Sequence, residues 1–159
     1  MAGPGHADPG PSSREEKFEA TRLDRDRTLA AVHRLETALA MAAGGADWSS
    51  EVVADLDALA AAMEEERSEF HRPDSLLSMI AEEHPRRFRS RIRNLAEQYD
   101  DVVRQVVSLR DQLAGSDDTD TDVPDVRRRA GWLVQALHHC RARQTDLVYE
   151  ALEMDLGER

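Results

Sequence analysis

Three long stretches of this chain place apolar residues at alternating spacings of three and four, the pattern of helices that pack along one face. The most regular stretch lies in the second half of the chain and contains Phe88, Ile92, Leu95, Tyr99, Val102, Val106, Leu109 and Leu113. The stretch before it contains Val52, Leu56, Leu59, Met63, Glu66 and Phe70. The last contains Ala130, Leu133, Leu137, Cys140, Gln144, Leu147 and Ala151. Together they predict long helices that share one core.

Polar or polarisable side chains interrupt these apolar faces near the middle of the predicted helices. The interrupting residues are Glu66, Tyr99, Cys140 and Gln144. An inward polar cluster in a helical bundle is the usual place for a metal or a cofactor. These four residues are therefore the candidate site.

Capping and helix-breaking residues predict where the helices begin and end. A first helix is expected from a Ser13 cap to the Gly44-Gly45 pair. Its inner face is predicted to contain Leu29, Val32, Leu35, Leu39 and Ala42. The second long helix is expected to start at Asp47 or Ser49 and to stop before Pro73. A short helix from Leu76 to Glu83, capped by Asp74 or Ser75, is expected to follow it. The third long helix is expected from Pro85 to near Leu113, and the fourth from an Asp122 cap to Gly157. The prediction is an all-α protein with four long helices and a short extra helix between the second and third of them.

Composition supports one helical domain and excludes several other classes of protein. The chain has 159 residues with 4% aromatics, and one cysteine, Cys140, which cannot form an internal disulfide. Residues 1–13 are rich in Gly and Pro and are predicted to be a disordered tail before a single domain at 14–157. We find neither a signal-peptide pattern nor an apolar run of about 20 residues, so we expect a cytoplasmic protein without membrane contact.

The charge disfavours nucleic acid as a partner. The formal net charge is −11, and a polyanion is repelled by such an average surface. An arginine-rich run at Arg86–Arg93 and a second cluster at Arg127–Arg129 are local exceptions. We expect these arginines to pair with acidic neighbours such as Glu64, Glu65, Glu69, Glu82 and Glu83, or to be solvated on the helix surface.

Three short segments resemble the hemerythrin-like (HHE cation-binding) domains. They are the run from Leu56 to Glu65 that leads into Glu66, the Ala96-Glu97-Gln98-Tyr99 step, and Leu147-Val148-Tyr149-Glu150-Ala151. The resemblance covers roughly residues 25–157. It implies an up-down four-helix bundle that holds a non-haem di-iron centre between its helices.

The chain departs from the metal-ligand pattern that this resemblance implies. The family's second and fourth helices each supply a His and, four or five residues later, a carboxylate, and its third helix supplies a His after an acidic step. Only His33 lies where the family's first ligand would be expected. The other positions correspond to Glu66, Phe70 and His71 in the second long helix, Tyr99 and Val103 in the third, and Cys140 and Gln144 in the fourth.

These departures predict that the di-iron site is lost, since Phe, Val and Gln do not replace imidazole and carboxylate ligands. If a metal were retained, the ligand set would be His33, Glu66, His71 and His138. Without a metal, Tyr99 and Gln144 can donate hydrogen bonds to Glu66 and form a polar plug, or Glu66 can face a small ligand cavity. The sequence leaves these two alternatives open.

We therefore expect a non-enzymatic interaction or regulatory module with no cofactor. Its expected partner is another protein or a second copy of the chain, with Val53, Val103, Val107 and Trp132 as candidate contacts. The alternative is a metal-binding protein of the hemerythrin type that uses non-haem iron or zinc to sense or carry oxygen. We find no nucleophile with an adjacent base and no Gly-rich phosphate loop, which disfavours an enzyme.

Overall fold

The computed structural model describes residues 11–43, 47–117 and 120–157. This part of the chain is all α-helix and coil, with four long helices and one short one. The helices are α1 Pro11–Ala40, α2 Asp47–His71, α3 Leu76–Glu83, α4 Pro85–Ala114 and α5 Val123–Gly157. None of these helices is long and apolar enough to cross a lipid bilayer.

The predicted boundaries agree closely with these helices except at α1. That helix begins at Pro11, before the predicted Ser13 cap, and ends at Ala40, so Ala42 lies beyond its end and is exposed instead of buried. Residues 1–10 of the predicted tail and the Gly44-Gly45 stop lie outside the described residues.

Local signals account for the later helix ends. Ser75 caps α3, and its hydroxyl accepts a hydrogen bond from the Ser78 backbone N–H at 3.2 Å. Pro85 occupies the first position of α4, where the missing N–H costs nothing. The Asp122 carboxylate accepts from the Asp125 N–H at 3.1 Å and caps α5 as predicted.

Contacts between α1 and α2 show that these helices run in opposite directions. Near the end of α1, the Trp48 indole N–H donates to the Ala38 carbonyl at 3.0 Å. Near its start, Thr21 contacts Glu69, at the far end of α2. The order of the contacts along α1 is the reverse of their order along α2, so the two helices are antiparallel neighbours.

The same reversal joins α2 to α4 and α4 to α5. Ion pairs link α2 to α4 through Asp57 with Arg110 and Arg67 with Asp100. Hydrogen bonds link α4 to α5 through Gln112 with Arg129 at one end and Arg91 with Glu150 at the other. The result is a bundle-like fold in which each long helix packs against the next.

The three predicted apolar faces are buried as expected. Of their members, only Phe70 is half-buried instead of fully buried, and it packs against both groups of core residues. The α1 face differs from the prediction, because Leu29 and Leu39 are half-buried and Ala31 and Ala38 are fully buried. The helix therefore presents a slightly rotated stripe.

The buried apolar residues form two separate groups. The first apolar cluster occupies the half of the molecule with the α1–α2 connection and includes Val32, Leu35, Leu56, Leu59, Met63, Leu95, Tyr99, Val106, Leu133, Leu137 and Cys140. The second apolar cluster lies around α3 and consists of Leu76, Leu77, Ile80, Phe88, Ile92, Leu147 and Ala151. Along α1, α2 and α5, buried polar residues lie where one cluster gives way to the other, whereas Tyr99 of α4 belongs to the first cluster.

The arginine-rich start of α4 pairs with an acidic residue of α5 that the sequence did not indicate. Arg87 and Arg91 both donate to the Glu150 carboxylate, at 2.6 Å from the Arg87 Nε and 2.7 Å from Arg91. The prediction that these arginines pair with acidic residues is confirmed for Arg87 and Arg91, but their partner Glu150 was not among the acids named from the sequence. Glu150 lies one helix away in space but far away in sequence, and only packing brings it there.

Candidate functional site

Glu66 lies at the centre of a buried polar layer to which all four long helices contribute. Its position on the apolar face of α2 turns it inward, and it is 1% exposed. Its Oε2 atom accepts hydrogen bonds from the Thr28 hydroxyl of α1 at 2.7 Å and from the Tyr99 hydroxyl of α4 at 2.9 Å. Arg141 of α5 donates to the same oxygen at 3.0 Å and to Oε1 at 3.3 Å.

Arg141 supplies the cation that a buried carboxylate requires. Its side chain is 14% exposed, so the pair is largely removed from water. A second guanidinium nitrogen donates to the Arg25 carbonyl of α1 at 3.0 Å, which fixes the orientation of the fork. The Glu66–Arg141 pair is thus compensated both in charge and in hydrogen bonding.

A second buried carboxylate, Glu69, lies one turn further along α2. It is almost completely buried and accepts a hydrogen bond from the Thr21 hydroxyl at 2.8 Å. Burial raises the pKa of Glu69 above its ordinary value; the Thr21 hydrogen bond opposes this, and the nearby Asp24 charge adds to it. Arg72, 3.9 Å away and half-exposed, neutralises this group less well than Arg141 neutralises Glu66.

Tyr99 is held as a neutral hydrogen-bond donor. Burial and the adjacent Glu66 carboxylate raise the pKa of its hydroxyl far above the usual range for tyrosine. A phenol in this state donates a hydrogen bond to Glu66 and keeps its proton. The predicted hydrogen bond from Tyr99 to Glu66 is present.

The other two predicted site residues are buried on α5 but do not bond to Glu66. Within the described part of the chain, Gln144 makes no hydrogen bond to the Glu66 carboxylate. Arg141 donates the hydrogen bonds that were expected from Gln144. Cys140 belongs to the first apolar cluster. Burial raises the pKa of its thiol despite the opposing charge of Arg143, so the thiol is protonated and unreactive at neutral pH.

The structure does not bring together the residues of the alternative metal set. Of His33, Glu66, His71 and His138, only Glu66 is buried, and the three histidines are exposed on the helix surfaces. His33 lies beside Glu36 of its own helix at 3.5 Å. Each of these histidines follows or precedes an inward position by one residue, which turns its side chain about 100° away from the core.

The buried layer does not fit a di-iron centre. Its donor set offers one carboxylate, a phenol and a thiol, and the guanidinium cation of Arg141 occupies the space beside the carboxylate. Among the described residues, no histidine is fully buried. Iron in such a site needs several imidazole and carboxylate ligands directed inward.

Sequence reasoning missed four members of the layer: Thr21, Thr28, Glu69 and Arg141. Thr21 and Thr28 precede Leu35 at intervals of seven residues, so the period of α1 could have predicted that both threonines face the core. Arg141 had no such signal, because it lies beside an inward position. Its long side chain reaches back into the core, with the stem covering apolar surface.

A groove between α4 and α5 exposes the largest apolar side chain on the surface. Trp132 is 58% exposed and lines this groove, whose volume is about 270 Å³. The other lining residues are Gln105, Ser108, Arg128, Arg129 and Leu133. Of the other contacts suspected from sequence, Val103 is buried and so is unavailable to a partner, whereas Val53 and Val107 are half-buried.

Comparison with family models, curated proteins and solved structures finds no match for the chain. The resemblance to hemerythrin-like domains therefore stays a prediction that rests on the three segments described above.

Proposed function

We propose that this protein is a non-enzymatic interaction or regulatory module, built as an up-down four-helix bundle of the hemerythrin-like kind without a di-iron site. The observation that carries the proposal is the exposed Trp132 in the α4–α5 groove. Tryptophan and arginine are the side chains most often found at the energetic centre of protein interfaces. The cytoplasm is the compartment proposed for this module.

The closed state of the polar layer supports a structural role for Glu66. Three side chains donate four hydrogen bonds to its two oxygens, and the carboxylate is almost fully buried. A carboxylate used in catalysis must reach a substrate or a water that reacts. Glu66 instead links the four long helices in one register, as a buried polar residue does in a coiled coil.

The occupant that we propose for the Trp132 groove is a second copy of the chain. The α4–α5 surface carries charges of both signs close to the groove, with Asp125 beside Arg128 and Arg129. A two-fold contact places the same patch on both sides, so each copy can set its acids against the arginines of the other. Because the net charge of −11 makes two copies repel each other at long range, local pairing of this kind favours their close approach.

Sedimentation velocity over a concentration series tests the proposal. We expect a monomer–dimer equilibrium that Trp132→Ala weakens by about thirtyfold or more. Tyr149→Ala is the matched control, since Tyr149 is an exposed aromatic residue of the same helix outside the groove. A wild-type protein that stays monomeric up to several hundred micromolar overturns the proposal, as does equal weakening by both variants.

Loss of the iron site is tested separately by elemental analysis of protein purified aerobically without chelator. We expect no stoichiometric iron and no absorption from an oxo-bridged centre. Two irons per chain would show that the side chains of the core rearrange to bind metal. Oxygen sensing or carriage would then be the better proposal for the function.

A further inference from the structure

Three side chains with metal-binding chemistry meet at one end of the molecule, beyond the second apolar cluster. They are Glu83, His84 and Asp155, and one ligand atom from each lies within 4.8 Å of the other two. The His84 Nε2 atom and an Asp155 carboxylate oxygen are 3.5 Å apart. No other group of three such residues comes together in the described ranges.

The junction between α3 and α4 positions two of the three residues, Glu83 and His84. Glu83 is the last residue of α3, and His84 ends that helix and precedes Pro85, the first residue of α4. The His84 backbone N–H donates to the Ile80 carbonyl at 3.1 Å, which anchors the main chain at the junction. The third ligand, Asp155, comes from the last turns of α5.

The His84 ring is also fixed from one side. It packs edge-on against Phe88, with ring centroids 6.1 Å apart and an angle of 72° between the planes. Phe88 is fully buried in the second apolar cluster. This contact limits rotation of the imidazole and leaves its Nε2 atom directed towards Asp155.

The distances suit a small tetrahedral cation. Zinc binds imidazole nitrogen and carboxylate oxygen at about 2.0–2.2 Å, which places neighbouring ligands about 3.3–3.5 Å apart. The His84–Asp155 separation already has this value. Glu83 is exposed, and its ligand atom lies within 4.8 Å of those of His84 and Asp155.

The donor set favours zinc over the common hard cations. Calcium takes six to eight oxygen ligands, and magnesium takes an octahedral shell of oxygens. One imidazole with two carboxylates is a mixed set typical of zinc, and it leaves a fourth position open to water. We propose that Glu83, His84 and Asp155 bind one zinc ion that ties the α3–α4 junction to the end of α5.

This site is independent of the polar layer and of the proposed interaction surface. The polar layer around Glu66 lies between the two apolar clusters, whereas these ligands lie at the outer side of the second cluster, with His84 against Phe88. The Trp132 groove belongs to the opposite end of α4 and α5. The zinc proposal can therefore fail without affecting the proposed function, and the converse also holds.

Isothermal titration of the full chain with zinc chloride, after removal of any histidine tag, tests the site. We expect a stoichiometry near one and a dissociation constant in the micromolar range. His84→Ala and Asp155→Asn should each weaken binding at least about tenfold. The second variant keeps the size of the side chain, so it remains informative if loss of the His84–Phe88 contact impairs folding.

The matched control is His33→Ala. His33 lies 3.5 Å from Glu36 on the surface of α1, a His–carboxylate pair without a third ligand nearby. We expect this variant to bind zinc as the wild type does. Absence of saturable binding, equal weakening by His33→Ala, or displacement of zinc by an equal concentration of magnesium or calcium would overturn the proposal.

Thermal unfolding provides a second readout. A ligand that binds only the folded state at about a hundredfold excess over its dissociation constant raises the melting temperature of a domain this size by about 5–10 °C. We expect this rise in the wild type and in His33→Ala. It should be largely absent in His84→Ala and Asp155→Asn, and an equal rise in all four proteins contradicts the assigned ligands.

Discussion

At the scale of single residues, the arrangement around Glu66 shows why a charged group is stable inside this core. The carboxylate is surrounded by a cation and two hydroxyl donors that come from three other helices. Each donor was placed inward by a different helix, and together they satisfy both oxygens. Removing one partner therefore costs more than the loss of one surface ion pair.

Arg141→Ala should lower the free energy of unfolding by about 3–5 kcal/mol, because it leaves the Glu66 charge buried without a cation. Arg143→Ala is the control, since Arg143 lies two residues away and its bond to Gln98 is exposed. We expect the control to change stability by less than about 1 kcal/mol. Urea unfolding followed by circular dichroism measures both, and similar losses in the two variants would contradict the role given to Arg141.

The buried Glu69 carboxyl should make the stability of the protein depend on pH. Its pKa is raised in the folded state by burial, so the native protein binds this proton more tightly than the unfolded chain does. Stability from this group is therefore present below the ordinary value of 4.5 and is lost as the pH rises through the raised pKa. Glu69→Gln removes the titrating group, so the variant does not lose this stability as the pH rises. Its free energy of unfolding relative to that of the wild type should therefore increase from acidic to neutral pH.

Glu150 provides a comparison of opposite sign. Hydrogen bonds from Arg91 and Arg87 hold the pKa of its carboxyl below the ordinary value. Its contribution is present above that value and is lost on acidification, so Glu150→Gln should cost stability at neutral pH and less at low pH. Unfolding curves of Glu69→Gln and Glu150→Gln at a series of pH values test both predictions. If the stabilities of the two variants change with pH in parallel, the opposite pKa shifts of Glu69 and Glu150 are excluded.

At the scale of helices, short-range signals determine most of the boundaries. Ser75, Pro85 and Asp122 occupy the first position of a helix or the position before it, and each satisfies or removes a backbone donor that has no partner within the helix. The contacts that start a helix lie within a few residues of one another. The boundaries therefore follow the sequence closely, apart from α1, which begins at Pro11, before the predicted cap, and ends at Ala40, before the predicted stop.

Ser75→Ala should reduce stability by about 0.5–2 kcal/mol, since it removes the acceptor for the Ser78 N–H. Ser90→Ala is the control: Ser90 is an exposed residue inside α4, where alanine is a better helix former. We expect the control to be neutral or slightly stabilising. Thermal unfolding compares them, and a neutral Ser75→Ala would show that α3 is held by its apolar contacts alone.

At the scale of the whole molecule, the buried polar layer lies between two apolar clusters without dividing the protein. The helices α4 and α5 contribute to both clusters, and α1 and α2 cross the layer through Thr28 and Glu66. Continuous helices transmit the loss of packing in one half to the other half. The molecule should therefore unfold as a single cooperative unit.

Leu95→Ala in the first apolar cluster and Leu77→Ala in the second should each cost about 2–5 kcal/mol, since both side chains are buried. Both should lower the midpoint of one shared transition. Leu23→Ala, at a half-exposed position, is the control and should remain within about 0.5 kcal/mol. Calorimetry that resolves two transitions in either core variant would contradict a single unit.

The sequence by itself determined most of the helix boundaries and most of the core-facing residues of α2, α4 and α5. The faces of α2, α4 and α5 follow a period that arises from 3.6 residues per turn, and the caps act over a few residues. The inward positions of Glu66, Tyr99, Cys140 and Gln144 follow from the same period. These features are local, so a single sequence contains them.

Only the tertiary structure decided which side chains meet. Arg141 reaches Glu66 from beside the inward stripe, Glu150 receives the arginines of α4, and Asp155 joins His84 across the end of the molecule. Each of these contacts joins residues far apart in the chain through long or rotatable side chains. Their meeting depends on the relative placement of whole helices, because the period of one helix sets the direction of a side chain and not the identity of its neighbour.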